Sequence, residues 1–292
     1  MMRTTASSTY RSIQLAIRQS NSRVDSLYLQ ASTGKKMTRA SDDPTTVSKV
    51  SSARSAITGM DRYMENIEVA QDRMDTVDSY LDSAETIMAR AREIAVAGVN
   101  GSLTDHDLQS YAEEVAALQE QMLSIANTRV DGKYLFAGFS DTTAPFSGDP
   151  VTYSGTSDHK FLQIGPGQTV QTNITGDELF SDPVDIFDTL STLQEALSSA
   201  DTTAMGEQLD TLENAATQVT RQRSKMGNIN ARMEDSMSLM EDAKLQMQST
   251  LSSYEDADLV EVLSDMTLAE ESLEAALSVS TRVMSLSILD YL

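Results

Sequence analysis

The chain has 292 residues, no Cys, no Trp, two His, 5% aromatic residues and a formal charge of −22. These counts exclude disulfides, thiolate metal sites and Cys nucleophiles, leave little for a zinc or acid–base centre, and argue against nucleic acid, whose phosphates require Lys and Arg stripes. No run of about 18 apolar residues is present to span a membrane, and the start lacks the apolar core of a cleavable signal peptide, so a secreted fate requires a route other than Sec.

Tyr10, Ile13, Ile17, Ser20, Val24, Leu27 and Ala31 step by three and four, which predicts a helix from about residue 5 to 32, stopped by Gly34. A polar, basic stretch follows to Asp43-Pro44. Ser41 to Asp43 can cap a second helix, and Pro44 suits a first turn, where its missing N–H costs nothing. That helix is expected to reach about Ala97, with Gly98, Asn100 and Gly101 as the turn. Thr104 and Asp107 then read as a capping-box variant opening a helix to about Asn127. The short turn makes the two helices antiparallel neighbours.

From Asp131 to Asp182 the texture changes to Gly, Thr, Ser and Pro with short alternating runs, such as Tyr134-Leu135-Phe136 and Lys160 to Ile164. These signals predict a small β-rich inserted domain. A helix over 183–199 leads back to the longest pattern in the chain. From Met205 to Tyr254 an apolar stripe steps by four and three, broken only by Arg223, Asn230 and Lys244. A seven-residue repeat of this length keeps one seam against partner helices, and the helices 44–97 and 105–127 are the expected partners.

Glu255-Asp256-Ala257-Asp258 interrupts the register, and a last helix is expected over 258–291. Residues 255–274 hold eight acids, whereas 275–292 carry only Arg282 and Asp290 as charges. A helix end that is apolar on most sides must be buried, and one partner helix cannot cover it, so other subunits are its natural cover. Residues 1–39 hold seven bases against one acid, and 255–292 hold nine acids against one base. Opposite charge favours the two ends lying side by side, although exposed pairs contribute only about 0–1 kcal/mol each.

The fold class expected is mainly α with a small β-rich insert, an elongated antiparallel bundle built from both halves of the chain. Three parts are expected: 1–43 with 255–292 as an assembly domain, 44–130 with 183–254 as a helical bundle, and 131–182 as the β-rich domain. The assembly interface is placed on Ile13, Ile17, Val24 and Leu27 of the first helix. On the last helix it is placed on Leu259, Val262, Met266, Leu273, Leu277, Val283, Leu286 and Leu289. Asp105-His106-Asp107 could suggest a metal or acid–base cluster, but acids at a helix start favour the dipole and need no ligand. Asp158-His159 reads as a polar loop. No catalytic, metal or cofactor site is expected.

Several segments together resemble the bacterial flagellin superfamily, over about residues 1–140 and 205–292. Gly34-Lys35-Lys36-Met37-Thr38-Arg39-Ala40-Ser41-Asp42-Asp43-Pro44 is similar to that family's turn after the first helix, with Gly34, Asp42, Asp43 and Pro44 as its marks. Asn127 followed by Gly132-Lys133-Tyr134-Leu135-Phe136-Ala137-Gly138 is similar to a signature of the family's hook–filament junction branch, with Gly132, Tyr134, Phe136 and Gly138 placed on a strand. The ending Val283 to Leu292 is similar to the family's Leu-rich tail.

The resemblance implies a non-enzymatic structural subunit that assembles in a ring with copies of itself. Its neighbours would be a related hook-associated protein on the hook side and flagellin on the filament side. The resemblance also implies export through the flagellar type III apparatus without signal cleavage, a cytosolic chaperone on the C-terminal segment, and a final place on the extracellular flagellum. A short filament-forming flagellin is the alternative within the family, and an elongated coiled-coil binding or adhesion module is the alternative outside it.

Overall fold

The computed structural model describes the backbone of residues 3–37 and 43–289 and the side chains of 10–37 and 43–282. The chain divides into two compact units, residues 1–59 with 243–292, and residues 60–242. The border falls inside the two longest helices, not at a helix break.

In the first unit, α1 (Arg3–Thr33) packs along α6 (Leu259–Leu289). The pairing is antiparallel: Arg23 faces Asp265 at 3.6 Å, and the Gly34 carbonyl accepts from the Ala257 N–H at 2.8 Å. Leu27, Val262 and Ala269 form its small core, with Val24, Ala31 and Met266 packed around them. Apolar burial holds this pair more than charge does, because Arg23 and Asp265 are both largely exposed. Gly34 ends α1 with φ +68°, the left-handed conformation that terminates a helix without a Cβ penalty.

Helix α2 (Pro44–Val99) is capped as its sequence requires. The Asp43 carboxylate accepts from the N–H groups of Thr45 at 3.0 Å and Thr46 at 3.2 Å and from both hydroxyls, which holds its pKa well below the usual carboxylate range. Helix α3 (Asp105–Ala126) opens on the expected capping box between Thr104 and Asp107. Asp185 caps α4 (Ile186–Ser198), and Asp201 caps α5 (Thr202–Glu255). Gly98 is not part of the turn. It lies in the last turn of α2, where a Cβ would sit 2.5 Å from the Met205 Sδ and 3.3 Å from Leu197. The glycine permits close packing there, and Gly101, at φ +63°, bends the chain.

In the second unit, the parts of α2 and α5 that lie within it run antiparallel, with Arg92 facing Glu213 and Asp75 facing Asn230. The stripe resolves into two classes. Met205, Leu212, Val219, Met226, Met233 and Met240, one per heptad, are buried, while Leu209, Ala216 and Met237 sit at its half-exposed edge. Helix α3 packs against α4, α4 shares the core with α5, and Gln218 of α5 donates to the carbonyls of Leu179 and Val184 in the segment that leads into α4. The expected partner pair, 44–97 and 105–127, therefore omitted α4, whose Ile186, Leu190 and Leu193 are fully buried.

Residues 129–171 hold three separate two-stranded hairpins, the first of which starts just before the expected 131–182 insert: β1 (Arg129–Val130) with β2 (Lys133–Tyr134), β3 (Phe146–Ser147) with β4 (Thr152–Tyr153), and β5 (Phe161–Gly165) with β6 (Gln168–Gln171). An aromatic cluster replaces an extended sheet. Phe180 stacks edge-on to Phe136 and Phe146, with centroids 5.5 and 5.3 Å away, and Phe187 of α4 closes the group. These side chains belong to the same core as the helices.

Candidate assembly surface

The apolar positions expected at an interface separate into an inner and an outer set. Leu27 and Val262 are buried, and Ile13, Ile17, Val24, Met266 and Leu273 are half-buried. Leu259 and Leu277 are exposed, and the side chains of Val283, Leu286 and Leu289 lie outside those described. The most regular stripe on each helix thus joins α1 to α6. A second set faces outward: Leu15, Tyr28 and Leu29 on α1, and Val260, Leu263, Leu268 and Val279 on α6. Tyr28 is 68% exposed and Val260 79%, so the pair presents apolar side chains that it does not itself cover.

Glu255, the last residue of α5, holds the base of this pair. Lys35 and Arg54 both bond to its Oε1, and the charge-assisted bonds from Lys35 first and Arg54 second hold its pKa below the ordinary carboxylate value. The Lys36 N–H donates to the Glu255 carbonyl at 2.7 Å, and Lys35 bridges Asp256 in antiparallel fashion. Nothing in the periodicity marked this group; the facing basic pair Lys35-Lys36 was the available signal.

The motif turn and motif strand acquire local causes. Gly34 and Asp43 act as helix stop and helix cap, Pro44 is the first residue of α2, and Asp42 lies outside the described residues. Of the residues placed on a strand, only Tyr134 is on one. Asp131 and Gly132, with φ 52° and 77°, form the two-residue corner of the β1–β2 hairpin, a turn that needs left-handed backbone at both positions. Tyr134 lies beneath the Arg129 guanidinium at 4.2 Å and bonds it through its hydroxyl. Phe136 fills the aromatic cluster, and Gly138, at φ +63°, lies so close to the Thr156 backbone that a Cβ would collide with it. Asn127, at the end of α3, donates to the Phe146 carbonyl at 2.9 Å and accepts from its N–H at 3.1 Å. The motif is a corner that fastens the hairpin region to the bundle.

Two of the stripe's polar interruptions have partners on α2. Arg223 grips Asp78 with Nε and Nη2 at 2.9 and 3.1 Å, and its Nη1 reaches Asp82 and Glu85 at 2.8 and 3.0 Å. Asn230 donates to Asp75 at 3.2 Å. His159, flanked by Gln171 and Glu178, and Asp105-His106-Asp107 at the start of α3 form no grouping that could hold a metal among the described residues.

Residues 5–141 match the bacterial flagellin N-terminal helical region, and residues 209–292 match the bacterial flagellin C-terminal helical region. The chain belongs to the flagellin family. The first match ends just past Gly138, and the second starts inside α5, so the two flagellin regions carry α1 to α3, most of α5, and α6. The residues between them hold the hairpins β3 to β6 and α4.

Among relatives, this flagellin-family chain is 27% identical to flagellar hook-associated protein 3 of Escherichia coli K12, over 89% of the chain and 90% of that protein. It is 26% identical to the flagellin of Bacillus subtilis 168, over 81% of each. In fold it is similar to a flagellar hook-associated protein from Vibrio parahaemolyticus, with TM-score 0.69, 20% identity, and coverage of 74% of this chain and all of that one. It is also similar to FlgL of Bacillus cereus, with TM-score 0.61, 20% identity, and coverage of 69% and 99%.

Proposed function

We propose that this protein is a structural subunit of the bacterial flagellum that joins hook to filament. It works by assembly and carries out no chemical step. The observation that carries the proposal is the α1/α6 pair, formed from both chain ends and lined outwardly by Leu15, Tyr28, Val260, Leu263 and Val279, in a chain with both flagellin terminal regions. Apolar surface of this extent is covered by association. The near end-to-end likeness to hook-associated protein 3 favours the junction over the filament.

In this reading, residues 1–43 and 255–292 form the assembling part, residues 44–130 and 183–254 the helical bundle, and residues 131–182 the hairpin region. Ile13, Ile17, Val24, Leu27, Leu259, Val262, Met266, Leu273, Leu277, Val283, Leu286 and Leu289 would hold or present the surface. Copies would form a ring, with a hook-associated protein on one side and flagellin on the other. Export would follow the flagellar type III route without signal cleavage, with a chaperone covering the C-terminal segment.

Purified subunit under salting-out conditions tests the choice within the family. A junction protein stays as monomers or short rings, whereas long tubes formed by this chain alone would identify it as a filament flagellin.

A further inference from the structure

We propose that Glu255 is the positioning residue of the assembling helices: by clasping Lys35 and Arg54 it fixes the direction in which the α1/α6 pair leaves α2 and α5. The inference rests on the assembly role proposed above and adds the device that aims the assembling pair.

Three segments meet at this carboxylate: the residues after α1 through Lys35, the early turns of α2 through Arg54, and the last turn of α5 itself; beside them the Ala257 N–H, in the link to α6, bonds the Gly34 carbonyl. Lys36 also reaches the Ser253 carbonyl at 3.4 Å, and Lys49 lies 5.2 Å over the Tyr254 ring. The burial is one-sided. The Glu255 side chain is 11% exposed, while Lys35 and Arg54 are 43% and 54% exposed.

A nearly buried carboxylate deprived of its cations must be hydrated, and that separates the segments around it. The joint is therefore closed with both cations in place or open and wet. Its angle matters because α1 and α6 are long levers: 31 residues at about 1.5 Å each extend about 45 Å, so a tilt of about 10° at the joint moves the far end by about 8 Å. A shift of that size takes the outward apolar residues off any neighbouring subunit.

The test uses the full chain with Glu255→Gln, and with Arg54→Glu combined with Glu255→Arg, which restores one ion pair in reverse. Hydrogen exchange is followed in α1, α6 and, as an internal control, α3 and α4. Each variant is also expressed in a host whose own copy is deleted, with flagellin lost to the medium as the readout.

E255Q is expected to exchange about five- to tenfold faster at residues 34–37 and 255–260 and along α1 and α6, the factor a lost charge-assisted hydrogen bond of this exposure carries. Exchange in α3 and α4 should stay unchanged, flagellin leakage should rise, and the charge-reversed pair should recover part of both effects. Because the folded carboxyl has its pKa lowered, the difference between wild type and E255Q is constant at neutral pH and closes as acid protonates Glu255.

Unchanged exchange in E255Q overturns the clasp. Faster exchange with normal junctions overturns its positioning role and leaves it a local tie. If the wild-type chain itself fails to restore junctions, the junction reading fails, and the clasp is then judged by exchange alone.

Discussion

Replacing Met233 by Ala tests whether the one-per-heptad stripe of α5 holds the 60–242 unit. Met233 is fully buried on that stripe. The substitution removes three side-chain heavy atoms, a transfer loss of about 2–2.5 kcal/mol at roughly 0.8 kcal/mol each. A residual cavity of about 40 Å³, at about 24 cal/mol per Å³, adds about 1 kcal/mol. The total of about 3 kcal/mol lowers the melting temperature of a unit this size by roughly 6–12 °C.

The control is Leu239→Ala, six residues along the same helix but exposed, which should stay within about 0.5 kcal/mol of wild type. Urea titrations and thermal melts of the full chain, followed by circular dichroism, read both. Equal losses at the two positions, or no loss at Met233, would refute the assignment of the seam.

Other substitutions probe the corner and the bundle separately. Asn127→Ala strips both partners from the Phe146 backbone and should cost about 2–3 kcal/mol in urea titration. Gly138→Ala combines left-handed backbone with a collision against Thr156 and should cost about 3 kcal/mol by the same measure. Arg223→Gln leaves Asp78, Asp82 and Glu85 without their shared cation. Its melting temperature should fall most at low ionic strength, and the gap to wild type should narrow as salt is added.

Much of the helical plan was legible because capping is local. Asp43-Pro44, Thr104 with Asp107, and Gly34 each fix a helix end within a few residues, and the structure uses all three. The long stripe was legible for the same kind of reason, since periodicity needs no knowledge of the partner. What the sequence hid depends on contacts distant along the chain. Gly98 looked like a turn residue because nothing nearby announces Met205 pressing on it. Tyr134-Leu135-Phe136 looked like a strand because alternation cannot distinguish a ladder from a corner whose aromatic ring enters a cluster.

The proposed assembly surface shows the same limit. The residues with the best helical spacing, among them Leu27 and Val262, join α1 to α6, and the outward residues Tyr28 and Val260 lie off that phase. In the sequence Glu255 opens a break in the register, whereas its cations come from Lys35 and Arg54, about two hundred residues away. Arg223 interrupted the stripe on paper and is half-buried in the structure, turned toward the acids of α2.

The central claim is that this flagellin-family chain joins hook to filament, and deleting it tests that claim most directly. The account predicts cells with intact hooks and no attached filaments, with monomeric flagellin in the medium, and return of filaments when the full chain is supplied. Filaments of normal length on the deleted cells, or loss of flagellin itself from both cells and medium, would contradict it.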